Sequence, residues 1–254
     1  MCVLALAWHA HPRWPLIVAA NRDEYHARPS APLARWEGDA GIIAGRDLQS
    51  GGTWLGVSDS GRLVTVTNRR GYGGPDPDKA SRGALVADLL SGAGAGRYAD
   101  PERTELQDFN PFNLLVADGE TLRFLSNRPE SIRTTLGPGI YGLSNGELDE
   151  PWPKTTQLKA FMLDWIVGDA RGPETLLDDL RSETLPDYGV APVQPSEIVL
   201  EAAQSPLFIR HPLYGTRCST VVAINDRGKG TIIERRFDAE GNMTGETTLG
   251  FTWE

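Results

Sequence analysis

The chain has 254 residues, of which 40% are hydrophobic and 23% charged, and it carries a net charge of -9. That length is close to the most one hydrophobic core supports, so a single domain over residues 1–254 is expected. The acidic balance argues against a nucleic-acid partner or an anionic membrane surface, and no apolar run approaches the roughly 20 residues of a transmembrane helix. The apolar start VLALAW has no basic lead and gives way at once to HAHPRWP, unlike a secretory signal, so a cytoplasmic protein is expected.

CVLALAW and LIVAAN are short apolar runs split by a proline-containing turn, the pattern of paired buried strands, with His9 and His11 in the loop between them. GIIAGRD follows, and then TWLGVS and RLVTVTN, which flank the hairpin signal DSG. Ser81 is placed to cap a helix over RGALVADLL, whose Leu85 and Leu89 share a face. SGAGAG reads as a flexible connector, NLLVADGETLRFLSN as a hairpin, and IRTTLGPGIYGLSN as further strand.

After PWPKTT, Leu158, Phe161, Met162, Trp165 and Ile166 keep the rhythm of a buried helical face. PETLLDDLRSE predicts a second helix with Pro173 in its first turn, and PDYGVAPVQPSE a proline-rich surface loop. CSTVVAIN, GTIIERRFD and TTLGFTW close the chain as a meander. Strands, then helices, then strands do not make a βαβ series. An α+β fold of largely antiparallel sheets with helices on the outer faces is expected.

The chemistry-bearing residues stand mainly at strand ends. Removal of Met1, expected before so small a second residue, would leave Cys2 with a thiol and a free α-amine on one residue. That amine can serve as the general base for the thiol, directly or through a water. Taken alone, a free cysteine in an apolar strand is a small hydrophobe. Asn68 and Asn145 each end an apolar strand, as amide donors for an oxyanion or as ordinary turn residues. Arg217, in YGTRCSTVV, can hold the site electropositive or protect an edge strand, while the neighbouring Cys218 reads as core.

The run NRDE, Asn21 to Glu24, ends LIVAAN in two acids, a base and an amide. It can be a turn, a salt bridge or part of a catalytic shell. Two cysteines and four scattered histidines (His9, His11, His26 and His211) give no zinc spacing. Each histidine can be an exposed loop residue, a base or a haem ligand.

Five ordered motifs, MCVLALAW, LIVAANRDEYHARPSAPLARW, GGTWLGVSDSGRLVTVTNRRG, IYGLSNGELDEPWPK and YGTRCSTVV, together resemble the NRDE family over essentially the whole chain. That family is similar to the N-terminal nucleophile hydrolases, among them bile-salt hydrolases and penicillin V acylases. The resemblance implies a four-layer αββα sandwich. It implies Cys2 as nucleophile, Arg22 and Asp23 as the second-strand pair, Asn68 and Asn145 as the two asparagines, and Arg217 as the later arginine, with Asn21 and Glu24 in support. Consecutive strand residues point to opposite faces, so the motif leaves open which of Arg22 and Asp23 faces Cys2.

The resemblance implies cleavage of a small-molecule amide, ester or thioester with no cofactor. The alternative it carries is a non-catalytic protein of haem trafficking or lipid homeostasis, holding haem or an acyl-type ligand on the same scaffold. A third reading is an interaction module in which the tetrapeptide is only a strand-end ion-pair network.

Overall fold

The computed structural model describes residues 2–38, 41–92, 100–168, 170, 172–184 and 205–253. Two antiparallel sheets and a few helices make up two compact units. The first comprises Met1–Ala27, Pro138–Arg227 and Thr231–Thr248; the second comprises Arg28–Gly137, Gly228–Gly230 and Leu249–Glu254. Among the described residues no helix is long and apolar enough to cross a membrane.

The first sheet has the strand order β10-β1-β2-β11-β12-β13. Here β1 is Cys2–His11, β2 Trp14–Tyr25, β10 Gly139–Leu143, β11 Tyr214–Ile224, β12 Lys229–Phe237 and β13 Met243–Thr252. Side chains alternate across a strand, and the odd-numbered residues Val3, Ala5, Ala7, Ile17, Ala19, Val221, Ala223 and Ile233 form one apolar face. Leu158, Met162 and Trp165 of α2 (Pro153–Val167) and Leu176, Leu177 and Leu180 cover that face. Leu4, Leu6, Leu16, Val18 and Val222, on the opposite face, are also buried. Helix α2 starts on Pro153, where a missing N–H costs nothing.

In the second unit the order is β3-β4-β5-β6-β7-β8-β9, each strand beside its sequence neighbour. These strands are Ser30–Arg35, Ile42–Asp47, Leu55–Ser58, Arg62–Asn68, Phe112–Ala117, Leu122–Ser126 and Ile132–Leu136. The short turns legible in the sequence produce this meander. Ser81 caps α1 (Arg82–Ser91) by accepting a hydrogen bond from the Ala84 N–H, and Leu85, Val86, Leu89 and Leu90 pack on Ile42, Ala44, Val64 and Val116.

Several local expectations are corrected. IRTTLGPGIYGLSN is not one strand region: β9 belongs to the second sheet and β10 to the first, with Gly137 and Pro138 between them. The helix expected over PETLLDDLRSE is a 3₁₀ turn at Pro173–Thr175 and then only Leu176–Asp179 as α3, which lets Leu176, Leu177 and Leu180 all reach the core. His9 and His11 lie within β1, because a register shift between Trp8 and His11, with His9 at φ 44°, prolongs the strand. β3 carries no strong apolar alternation, and its sequence gives no strand signal. Residues 93–96 of SGAGAG and the whole PDYGVAPVQPSE segment lie outside the described residues.

Candidate functional site

Cys2 lies directly across from Arg22 on β2, and Arg22 lies across from Cys218 on β11. Opposed residues point to the same face, so Cys2, Arg22 and Cys218 form one row on the face opposite the helices. The Ser144 hydroxyl donates to the Cys2 carbonyl at 2.8 Å. The Cys2 carbonyl, and with it the strand N–H, is therefore turned toward β10 and away from β2. That makes Cys2–Arg22 a non-hydrogen-bonded pair, with Cα atoms only about 4.5 Å apart and side chains at their closest.

The period of two divides the tetrapeptide. Asn21 and Asp23 face the helices; Arg22 and Glu24 face the Cys2 side. Asn21 is fully buried, and its amide nitrogen donates to the Leu180 carbonyl at 2.9 Å and the Leu207 carbonyl at 2.8 Å. Its carbonyl oxygen accepts from the Ser219 hydroxyl at 2.6 Å. Asn21 is thus a clamp between the sheet and the chain segments below it. Glu24 and Arg22 stand 4.0 Å apart on the other face, both partly shielded from solvent.

Asp23 is 1% exposed and accepts a hydrogen bond from the Thr216 hydroxyl at 2.7 Å. Its main-chain carbonyl accepts from the Tyr214 hydroxyl at 2.7 Å. Burial pushes its carboxyl above the usual range, against the pull of the Lys154 ammonium and the Arg22 guanidinium. Burial likewise pushes the Cys2 thiol up, the Asp23 carboxylate adds to the rise, and Arg22 and the Asp23 N–H beside the sulfur oppose it. Arg22 therefore meets Cys2 by side chain, whereas Asp23 reaches the sulfur by its backbone.

Arg217 occupies the register shift between Thr216 and Cys218, the extra residue of a β-bulge. Bulges re-aim a side chain, and here the Arg217 guanidinium donates to the Tyr25 carbonyl at 3.0 Å and the His26 carbonyl at 3.2 Å. Burial and the nearby Arg22 charge lower its pKa, so the two guanidiniums share one electropositive neighbourhood. Cys218 is buried as expected of core, and burial together with Glu234 holds its thiol well above the usual range. Asn145 is 1% exposed and follows β10 by two residues. Leu4 pairs with Leu143, so the same register continued brings Asn145 alongside Cys2. Asn68 belongs to the second unit, where it is the exposed last residue of β6.

Sequence reading missed Lys154, Ser144, Thr216 and Glu234. Lys154 is fully buried and donates to the Ser205 hydroxyl at 2.8 Å. Of the histidines, His26 Nε2 meets the His211 carbonyl at 3.0 Å, and His11 and His211 each accept a backbone N–H at Nδ1.

With that geometry in hand, similarity to solved structures defines the class. A Caenorhabditis elegans N-acylethanolamine-hydrolyzing acid amidase ortholog superposes with a TM-score of 0.51 at 14% identity, over 87% of this chain and 92% of the other. A C2A mutant of the conjugated bile acid hydrolase from Clostridium perfringens superposes with a TM-score of 0.50 at 8% identity, over 100% of this chain and 97% of that one. The fold is that of the N-terminal nucleophile hydrolases, an α+β sandwich class of antiparallel sheets.

The particular family comes from sequence: the model for Transport and Golgi organisation 2 matches residues 1–239, and the chain belongs to that family. The mouse Transport and Golgi organization 2 homolog is 32% identical over 280 residues, covering 99% of both chains. The human homolog is 32% identical over 262 residues, covering 92% of each. The resemblance read from the NRDE motif is borne out.

Proposed function

We propose that the chain, once Met1 is removed, hydrolyses a small-molecule amide or thioester with Cys2 as nucleophile. One observation carries this reading: the Cys2 side chain shares a row with Arg22, while the Asp23 N–H lies at its sulfur. A thiol whose pKa its surroundings raise above the ordinary value needs a base to become the nucleophile. The freed α-amine of Cys2 supplies it.

In the first step the amine takes the thiol proton, and the sulfur attacks the carbonyl carbon to form a C–S bond. Asn145, alongside Cys2, is placed to donate its amide to the oxyanion, an interaction whose loss typically raises such a barrier by about 2.7–4 kcal/mol. The ammonium then protonates the leaving amine or thiol as the C–N or C–S bond of the substrate breaks. Water attacks the resulting thioester, releases the acid and restores the thiol. Arg22 stabilises thiolate character through its charge, and Asp23 anchors the amino group that carries the proton.

The experiment is acyl trapping. Protein whose intact mass shows Met1 removed is mixed with S-phenyl thioacetate, alongside Cys2→Ala and protein made with Met1 retained by blocking methionine aminopeptidase. Acetyl transfer to Cys2 followed by its hydrolysis is expected for the processed protein alone. Processed protein that never acquires the acetyl group on Cys2 rules the reading out.

A further inference from the structure

Lys154 is a buried cation set behind the nucleophile strand, and nothing in the steps above uses it. A lysine is almost never fully buried without a partner, because removing an ammonium from water costs several kcal/mol. At the start of α2 it also sits at the positive end of the helix dipole. Two unfavourable features at one residue require a compensating anion.

The segment from Ser205 to Ile209 brings Lys154 and the surroundings of Asp23 onto one stretch of chain. Ser205 accepts from the Lys154 ammonium at 2.8 Å, and the Leu207 carbonyl accepts from Asn21 at 2.8 Å. The Ile209 N–H donates to the Thr216 hydroxyl at 2.9 Å, and that hydroxyl donates to the Asp23 carboxylate at 2.7 Å. Trp152, against which the Lys154 ammonium lies at 5.9 Å from the ring centre, packs on Ile209. One segment on the helix side of the sheet thus carries the Lys154 contact at Ser205 and, four residues on at Ile209, the contact to the Thr216 hydroxyl that holds Asp23. Lys154 is also the strongest charge favouring ionised Asp23.

We propose that Lys154 is a positioning residue that acts through Asp23, fixing its carboxylate so that it can anchor the freed amine of Cys2. This rests on the hydrolase reading above. The effect of Lys154 falls on the rate of acylation rather than on substrate capture.

The test uses the processed full chain and acetyl transfer from S-phenyl thioacetate to Cys2, read by intact mass at several probe concentrations. Lys154→Met is expected to slow the saturating rate by about 10²-fold, the scale of a misplaced catalytic group, with the half-saturating probe concentration unchanged. Asp23→Asn is expected to do the same, and the double variant Asp23→Asn/Lys154→Met to be no slower than Asp23→Asn alone. If Lys154→Met does not fold, the comparison of the double variant with Asp23→Asn decides by itself, because the buried charges are then removed together. Full acylation by Lys154→Met, or a further large loss in the double variant, overturns the proposal and leaves the hydrolase reading standing. Wild-type protein with a free Cys2 that takes no acetyl group overturns both.

Discussion

Cys2 and Arg22 face each other across one non-hydrogen-bonded pair of an antiparallel sheet, and their side chains leave the sheet on the same side. The guanidinium lowers the pKa of a thiol that burial raises. Arg22→Met keeps the apolar stem and removes the charge. Cys2 alkylation by iodoacetamide is then expected to slow about three- to tenfold at a fixed pH below the thiol pKa, with the midpoint of the rate–pH curve moved up. An unchanged midpoint would show that the two groups are not coupled.

Asn21, next to Arg22, serves stability. Three buried hydrogen bonds converge on its amide, and Asn21→Ala leaves two carbonyls and a hydroxyl without that partner. A loss of about 3 kcal/mol or more is expected in urea unfolding. Glu24→Gln, which touches a 4.0 Å ion pair, is expected to cost about 1 kcal/mol or less. Equal losses from both would mean that the two faces of the tetrapeptide are not divided as described.

Cys2 and Cys218 both flank Arg22, one strand to either side. Two strand spacings place their Cα atoms about 10 Å apart, beyond the roughly 7 Å that a disulfide spans. Treatment of the folded protein with diamide is expected to leave no intramolecular Cys2–Cys218 bond in a peptide map. Finding that bond in folded protein would refute the register.

Asp179, at the end of α3, is half-buried beside Asp178 and Asp164, and burial with those two charges raises its carboxyl pKa. A raised folded-state pKa favours folding at low pH, and the benefit is lost as pH rises through that pKa. Asp179→Asn is therefore expected to stabilise the protein at pH 7 by a few tenths to about 1 kcal/mol. The gain should vanish below the ordinary carboxylate range. Thermal melts of the two proteins across pH measure this, and a gain that persists in acid would exclude the charge explanation.

The meander of the second sheet was legible because DSG and ADGE turn the chain back on itself within a few residues. The α2 face was legible for a similar reason, since Leu158, Met162 and Trp165 recur at helical spacing. The site itself was legible in part. Its residues lie at strand ends, but which face each occupies depends on a register set between β2 and β11, some 190 residues apart. Lys154 was hidden because a buried lysine and an exposed one read alike until the segment that carries Ser205 is placed.

By itself the sequence determined most of the strands, their alternation and the family. Alternation fixes that Arg22 and Asp23 cannot face the same way, since successive side chains leave a strand on opposite sides. Tertiary structure decided the assignment. The Ser144 hydrogen bond to the Cys2 carbonyl, a bulge at Arg217 and a clamp at Asn21 lock one register, putting Arg22 on the thiol face and Asp23 on the helix face. Register is a relation between strands, set by partners far along the chain, and for that reason no single stretch of residues contains it.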